Sequence, residues 1–253
     1  MIKRISLILL MVVSIASVVS AQYQEGWVND YRGVIGDNLK IGMSIKMSGN
    51  DVSGEYFYLQ WLKDIPIRGK IDGRNIILNE LDEYGKVTAI FKGRFLEHAP
   101  EYQQEPIKYE VMEGEWSRPD GSESKRFRVI SESSTGLLGK SRYSVAGFES
   151  DQIVEAVAQK FKKAVLAKDR EQVALMVQYP ISVKIKGKAV QIKNKADFIK
   201  KYDGIFHRTF FDRIKESVPH NMFAKVDGVM LGDHGEVWIG TRDGKILVIA
   251  INN

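Results

Sequence analysis

The sequence predicts an α+β protein, in which an N-terminal antiparallel β-meander, closed as a barrel or packed as a sandwich, is followed by an α+β domain. Three observations support this. Short apolar segments separated by glycine, aspartate and proline turns fill residues 39–130. Apolar residues then recur at helical spacing between 153 and 214. The last thirty residues contain three short apolar runs separated by tight turns.

The first 21 residues show the pattern of a secretory signal peptide. Lys3 and Arg4 precede a mostly apolar run over 5–19, and small residues end at Ala21. We expect cleavage after Ala21, which predicts a periplasmic or secreted protein. The alternative is a transmembrane anchor, but the apolar run is shorter than the roughly 20 residues that a span requires. No cysteine follows the run, so a lipoprotein is not predicted.

Composition excludes several chemistries. The chain has no cysteine, which excludes disulfides, cysteine nucleophiles and cysteine-ligated zinc. Residues 22–150 contain 17 basic and 20 acidic side chains, a net charge of −3, whereas residues 151–253 contain 18 and 12, a net charge of +6. This asymmetry favours two domains and places the basic surface on the second.

Seven segments of the first half are predicted as strands. Asp72-Gly73 is a hairpin signal, and Pro119-Asp120-Gly121 marks a later turn. The strands are short and no long amphipathic helix interrupts them, as expected of a barrel or sandwich. They cover 39–47, 54–62, 67–71, 76–81, 87–95, 107–116 and 126–130.

An aromatic cluster in the second of these strands has two interpretations. Alternation places Tyr56 and Tyr58 on one face and Phe57 on the other. One face is therefore expected to be core, and the alternative is a stacking platform for sugars.

The domain boundary is predicted in the serine- and glycine-rich stretch from Ser131 to Ser150. The predicted division is a signal peptide over 1–21, an antiparallel β domain over 22–148 and an α+β domain over 149–253. A short strand near 143–146 is also possible.

The elements of the second half follow from caps and periodicity. Ser150 is expected to cap a first helix, Asp169 a second over 170–178, and Asn194 a third. Strands are predicted at 181–185 and 189–192, and a fourth helix ends before Pro219. In the terminal strands, 237–239 and 246–251 are apolar at both parities, which predicts a sheet covered on both faces.

This order of elements resembles the NTF2-like (SnoaL-type, cystatin-like) α+β superfamily, as found in uncharacterised bacterial envelope proteins. The matching segments are K-D-R-E-Q-V, Y-P-I-S-V-K-I-K-G-K, K-A-D-F-I-K-K-Y and V-M-L-G-D-H-G-E-V-W-I-G, within residues 151–253. The resemblance implies a curved antiparallel sheet wrapped around helices, with a conical pocket. Such pockets serve enzymes, ligand binders and structural modules alike, so the fold implies no reaction.

Four residues are candidates to line that pocket: Tyr179, Tyr202, His207 and Trp238. The Asp–Tyr motif of ketosteroid-isomerase-like members has no match by position, so no catalytic residue is predicted. No nucleotide-binding motif or metal-ligand spacing is present, so no cofactor and no metal are predicted. Other side chains capable of acid–base work are Asp203, Asp212, His220, Asp227, Asp233 and His234.

A run of lysines is the sharpest charge feature. Lys184, Lys186, Lys188 and Lys193 form a candidate patch for an anionic partner, with the first three expected on one strand face. The alternative is that these lysines prevent edge-to-edge pairing and keep the protein soluble. Nucleic acid is not predicted, since the run lacks arginine.

The predicted function is that of an exported cell-envelope binding protein with no chemistry of its own. Its partner is an envelope protein, as for an inhibitor or immunity-type protein, or a small apolar or anionic ligand. One alternative is a pocket enzyme, an isomerase or hydrolase. Another is an envelope scaffold that forms a homodimer through its C-terminal sheet.

Overall fold

The computed structural model describes residues 27–96, 110–136 and 141–253. The predicted signal peptide lies outside these ranges, as do the start of the predicted sixth strand and part of the predicted linker. The first eight strands form a closed antiparallel barrel in sequence order. They are β1 (Trp27–Ile35), β2 (Leu39–Ser48), β3 (Asp51–Tyr58), β4 (Ile65–Asp72), β5 (Asn75–Leu81), β6 (Val87–Leu96), β7 (Val111–Ser117) and β8 (Ser124–Gly136).

Pairing between the first and last strands closes the barrel and decides against a sandwich. β8 runs antiparallel to β1, from Phe127 opposite Ile35 to Gly136 opposite Trp27. The serines of 131–134 therefore belong to a strand, not to the linker that their composition predicts. Backbone hydrogen bonds to β1 hold these residues in a strand, although their side chains do not favour one.

Large side chains fill the barrel interior. The rings of Tyr56, Phe91 and Phe127 contact one another edge to face, with centroids 5.2 and 5.1 Å apart. At one end, Glu80 accepts hydrogen bonds from the hydroxyls of Tyr56 at 2.5 Å and Thr88 at 2.6 Å. These contacts make the interior a packed core.

A glycine in β4 allows β4 and β5 to approach each other closely in the barrel wall. A Cβ atom on Gly69 would lie 1.7 Å from the carbonyl oxygen of Ile77. No side chain fits there, so the close approach of β4 and β5 depends on glycine.

Helices and strands alternate after the barrel. A 3₁₀ turn at Ser144–Ala146 occupies the place where a short strand was possible. The elements that follow are α1 (Asp151–Leu166), α2 (Arg170–Leu175), β9 (Ile181–Ile185), β10 (Lys188–Ile192), α3 (Lys195–Ile205), α4 (Arg208–Glu216), β11 (Phe223–Lys225), β12 (Gly228–Leu231), β13 (Val237–Arg242) and β14 (Lys245–Ile251).

Two of the three predicted helix caps are confirmed. Asp169 accepts a hydrogen bond from the Gln172 N–H, and Asn194 accepts one from the Asp197 N–H, both at 3.0 Å. Ser150 occupies the cap position of α1, but its side chain makes no capping bond.

α2 ends three residues earlier than predicted. Past Leu175 the chain turns to pair with the last strand, where the Gln178 N–H donates to the Val248 carbonyl at 2.9 Å. Val177 bridges the same strand in parallel.

The four-stranded sheet β11-β12-β13-β14 packs one face against the helices. Val229, Ile239 and Val248 on that face are fully buried together with Phe161 and Phe210 of the helices. The prediction that both faces are covered is wrong for the opposite face. There Trp238, Leu247 and Ile249 remain partly exposed.

Candidate functional site

A buried ion pair joins the barrel to the chain that follows it. Arg142 Nη1 donates to Asp30 Oδ2 at 2.9 Å, and the two side chains are 6% and 8% exposed. Arg142 Nη2 donates to Ser44 Oγ at 2.9 Å, and that hydroxyl donates to Asp30 Oδ1 at 2.7 Å. Ser133 Oγ adds a bond to Asp30 Oδ2 at 2.9 Å. Such saturation is what a desolvated charge pair needs to be stable.

The imidazole of His220 forms a second bridge between the barrel and the C-terminal part. We call this boundary the seam. Nδ1 lies 2.6 Å from Glu155 Oε2 on α1, and Nε2 lies 2.7 Å from Asp64 Oδ1 in the loop after β3. His220 and Glu155 are 7% and 9% exposed, whereas Asp64 is half exposed. One ring therefore connects the C-terminal helices to the barrel.

Further bonds tie the two bridges into one network. Glu155 Oε1 accepts from the Tyr143 hydroxyl at 2.8 Å and from the Asn221 N–H at 2.9 Å. Asn221 has φ +47°, a left-handed conformation that asparagine tolerates. Its Nδ2 donates to Ser44 Oγ at 3.1 Å and so reaches the ion pair.

His220 is protonated at neutral pH. Burial lowers the pKa of its imidazole, but hydrogen bonds to Asp64 and Glu155 outweigh burial and raise the pKa to about 9. Both ring nitrogens then act as donors to carboxylates. A ring in this state has no lone pair to accept a proton, so His220 is a bridging group and not a general base.

Phe57 fixes these charges from the barrel side. It points outward from the barrel and is nevertheless 1% exposed. Its ring meets the His220 ring edge to face at 4.4 Å, and the Arg32 guanidinium lies over it at 5.4 Å. A Cβ on Gly42, directly opposite on β2, would lie 2.4 Å from the Phe57 ring.

Two cavities of about 610 Å³ each flank the network. The first, which we call the serine-side cleft, lies between β8 and the strands β11 and β12. Its lining combines serines and charged groups of the barrel with apolar groups of the C-terminal part: Arg32, Ile130, Ser131, Glu132, Ser133, Ser134, Val218, Asn221, Met222, Phe223, Met230, Gly232 and Asp233.

The second cavity, the lysine-side cleft, lies between β3 and α1 and is mostly polar. Its lining is Val28, Lys46, Glu55, Leu62, Lys63, Asp64, Arg142, Asp151, Gln152, Glu155, Ala156, Gln159, His220 and Asn221. Burial raises the pKa of the Glu55 carboxyl, and the nearby Asp64 carboxylate raises it further. The surroundings of Glu55 therefore favour the protonated form of its carboxyl more than solvent does.

A third and larger cavity, about 860 Å³, is a groove on the outer barrel wall. Its charges are paired across strands. Glu113 accepts from Arg128 at 2.9 Å and lies 3.8 Å from Arg94. We interpret this groove as an ionic ladder that solvates the wall.

The four predicted pocket residues do not line any of these three cavities. Tyr202 is 2% exposed with its ring 4.6 Å from Phe206, and the Tyr179 hydroxyl donates to the Ala174 carbonyl at 2.9 Å. His207 caps α4, where its Nδ1 accepts from the Phe210 N–H at 3.4 Å. Trp238 lies on the outer sheet face beneath the Lys225 ammonium at 4.5 Å.

The lysines of the predicted patch are exposed, but they do not share a strand face. Lys184 pairs with Ala189 and Lys188 pairs with Ile185, which places the two on opposite faces of the hairpin. Lys186 lies in the turn between them, with φ +51°. Lys193 is exposed beyond β10.

Both faces of the aromatic strand β3 are covered. Tyr56 is fully buried inside the barrel and Phe57 is buried outside it, so neither belongs to an open sugar platform. Trp61, 65% exposed, lies edge-on to Tyr58 at 5.0 Å.

Sequence reasoning missed most of the network. His220 was recognised only as one of several titratable residues, and Asp30, Ser44, Arg142 and Glu155 were not singled out. The available signal was the odd placement of Glu155 on the apolar side of α1, where burial requires a partner.

Comparison with solved structures gives a distant likeness. No family model and no curated protein matches the chain. Among solved structures, intact afifavidin in its apo form matches at 16% identity and a TM-score of 0.27, over 45% of this chain and 82% of that chain.

In the described part of the chain, none of the helices has the length and apolar character that crossing a bilayer demands. Over the same residues, no group of three or more histidines and carboxylates is placed to hold a metal ion.

Proposed function

We propose that this chain is a binding protein with no chemistry of its own, and that it holds a small, largely apolar ligand in the serine-side cleft. The location of the cavities supports this proposal most directly. Tyr202, Phe206 and Phe210, near which the NTF2-like resemblance would put a conical pocket, are at most 8% exposed and pack against one another. The seam instead offers a cavity of about 610 Å³ with an apolar wall and a few polar groups, the usual character of a ligand site.

We further propose that the protein is exported to the cell envelope and that its C-terminal part is NTF2-like. The first rests on the basic and apolar start of the sequence. The second rests on the element order, in which α1, α2, the β9–β10 hairpin, α3 and α4 precede a four-stranded antiparallel sheet.

Capture from the native envelope tests the binding function. The tagged full chain is purified from envelope extracts, and co-purifying small molecules and proteins are identified by mass spectrometry. We expect an apolar small molecule that is lost in a Phe223→Ala variant, since Phe223 lines the cleft. The matched control is Phe211→Ala, a partly buried phenylalanine that packs on the helical core instead.

The comparison of the two variants decides the outcome. A molecule retained by both variants would place the ligand elsewhere. The absence of any specific small molecule would favour recognition of a protein partner, in the manner of an inhibitor or immunity-type protein.

An enzyme is the second candidate, and Glu55 is the observation that favours it. A carboxyl with a raised pKa beside a second carboxylate in a cleft is the usual setting of a general acid. A hydrolase or isomerase of this kind would lose its activity in Glu55→Gln. Glu115→Gln on the distant barrel wall is the control, and turnover of a substrate panel is the measurement.

A scaffold that forms a homodimer is the third candidate, and the outer sheet face favours it. Trp238, Leu247 and Ile249 leave apolar surface partly exposed there. Sedimentation of the full chain tests this candidate, because Trp238→Glu would dissociate such a dimer.

A further inference from the structure

The serine-side cleft has an apolar wall and a charged wall that face each other. The ligand class inferred below rests on the binding function proposed for this cleft. Phe223 and Met230 come from β11 and β12, and Met222 directly precedes β11. Arg32 and Glu132 come from β1 and β8 of the barrel. A ligand that satisfies both walls must itself be amphipathic.

Arg32, the one cation among the described residues that line the cleft, is already engaged. Arg32 Nε donates to Glu132 Oε2 at 2.9 Å, and its guanidinium lies over the Phe57 ring. Its Nη1 is buried and finds no hydrogen-bond acceptor within 27–96, 110–136 and 141–253. The Phe57 ring and the Glu132 carboxylate therefore already offset part of the guanidinium charge.

Negative charge is in excess at the same place. Asp233 is exposed at the rim, and no hydrogen bond or ion pair to its carboxylate is found among the described residues. Desolvation raises the pKa of the Glu132 carboxyl. Arg32 opposes this, whereas the carboxylates of Asp233 and Asp30 raise the pKa further. A positive group in the cleft would relieve this repulsion.

We propose that the serine-side cleft selects a small amphiphile with a cationic, amine-type head group. The ammonium lies between the carboxylates of Glu132 and Asp233. The apolar part lies along Met222, Phe223 and Met230, away from water. The expected class is therefore an alkyl- or arylamine, and not the anionic ligand that the lysine run predicted.

A matched series of eight-carbon probes tests the head group. Octylamine, octanol and octanoate are titrated into the full chain at pH 7 by isothermal calorimetry. We expect octylamine to bind about tenfold more tightly than octanol and octanoate to bind most weakly, since a charge-assisted contact is worth about one decade of affinity. Raising the salt concentration should reduce the advantage of octylamine, because the rim is exposed.

Two variants separate charge from apolar contact. Asp233→Asn should weaken octylamine about five- to tenfold and leave octanol unchanged. Glu132→Gln should also weaken octylamine, but it releases Arg32 and should strengthen octanoate. Asp212→Asn, an exposed carboxylate on α4, is the control and should change nothing.

The outcomes distinguish the ligand class from the function itself. Equal binding of octylamine and octanol would overturn the cationic head group while the apolar ligand site stands. Tightest binding of octanoate would also overturn it. If no probe binds, and Phe223→Ala loses nothing that the native protein captures, both the ligand class and the proposed site are wrong.

Discussion

At the scale of single residues, the environment of His220 determines its chemistry. The ring is held between two carboxylates, and Phe57 covers it from the barrel side. Elsewhere a histidine of ordinary pKa would titrate near 6.5. Here it remains a cation well into the alkaline range, and its charge is used to hold two parts of the molecule together.

This gives a pH dependence with a definite sign. The folded pKa of His220, about 9, lies above the ordinary value of 6.5. The stabilisation is therefore fully present below pH 6.5 and is lost as the pH rises toward 9. We expect the free energy of unfolding to fall by up to about 3 kcal/mol across that window. Urea denaturation at a series of pH values measures it.

His220→Gln is the informative comparison for that prediction. The variant should be less stable than the native protein by about 2–4 kcal/mol at pH 6, since Glu155 stays buried without its cation. It should also lose most of the dependence between pH 6.5 and 9. A native protein with a flat profile over that range would show that His220 is neutral when folded.

At the scale of elements, β2 and β3 show how a barrel wall becomes an interface. Most outward positions of a barrel are wet, but Phe57 points outward and is buried. Its ring fits over Gly42 of the neighbouring strand, where any side chain would collide with it. Phe57 and Gly42 together form a flat, apolar surface against which the charged groups of the seam pack.

A double-mutant cycle tests the packing of Phe57 against Gly42. Gly42→Ala should destabilise the protein by about 1–3 kcal/mol through overpacking, and Phe57→Ala by about 3–5 kcal/mol through the cavity it leaves. The two costs should not add, because removal of the ring also removes the collision. Denaturant unfolding of the two single variants and the double variant measures the coupling. Additive costs would mean that the two residues do not pack against each other.

At the scale of the whole molecule, two apolar cores meet across a polar seam. One core lies inside the barrel and the other lies between the C-terminal sheet and its helices. Arg142 and His220 cross from one part to the other and are saturated with hydrogen bonds. We expect the cores to provide the stability of each part and the seam to make the two parts unfold together.

Cooperativity of unfolding tests this arrangement. The native chain should unfold in one calorimetric transition. An Arg142→Met, His220→Gln double variant should show two transitions, because each part retains its own core. Hydrogen exchange of the barrel strands and of β13 should then separate as well. Arg94→Met, in an exposed pair, is the control. One persistent transition in the double variant would mean that apolar contacts alone couple the parts.

The sequence by itself determined most of the elements, because their signals are local; β1 and the last residues of β8 are exceptions. The predicted hairpin turn follows Asp72 directly, with Gly73 at φ +57° in its loop, and Asn194 caps the predicted third helix. Alternation and helical spacing depend on neighbours a few residues away, so they can be recognised without knowing the fold. The α+β class follows from their order.

Only the tertiary structure decided the closure of the barrel and the composition of the site. β1 and β8 pair across about a hundred residues, and Asp30, Ser44, Arg142 and His220 meet from segments far apart in sequence. No local sequence pattern predicts these contacts, because each of these side chains, taken alone, has the character of an ordinary surface residue. Their burial, and with it the protonation of His220, arises only when the two cores come together.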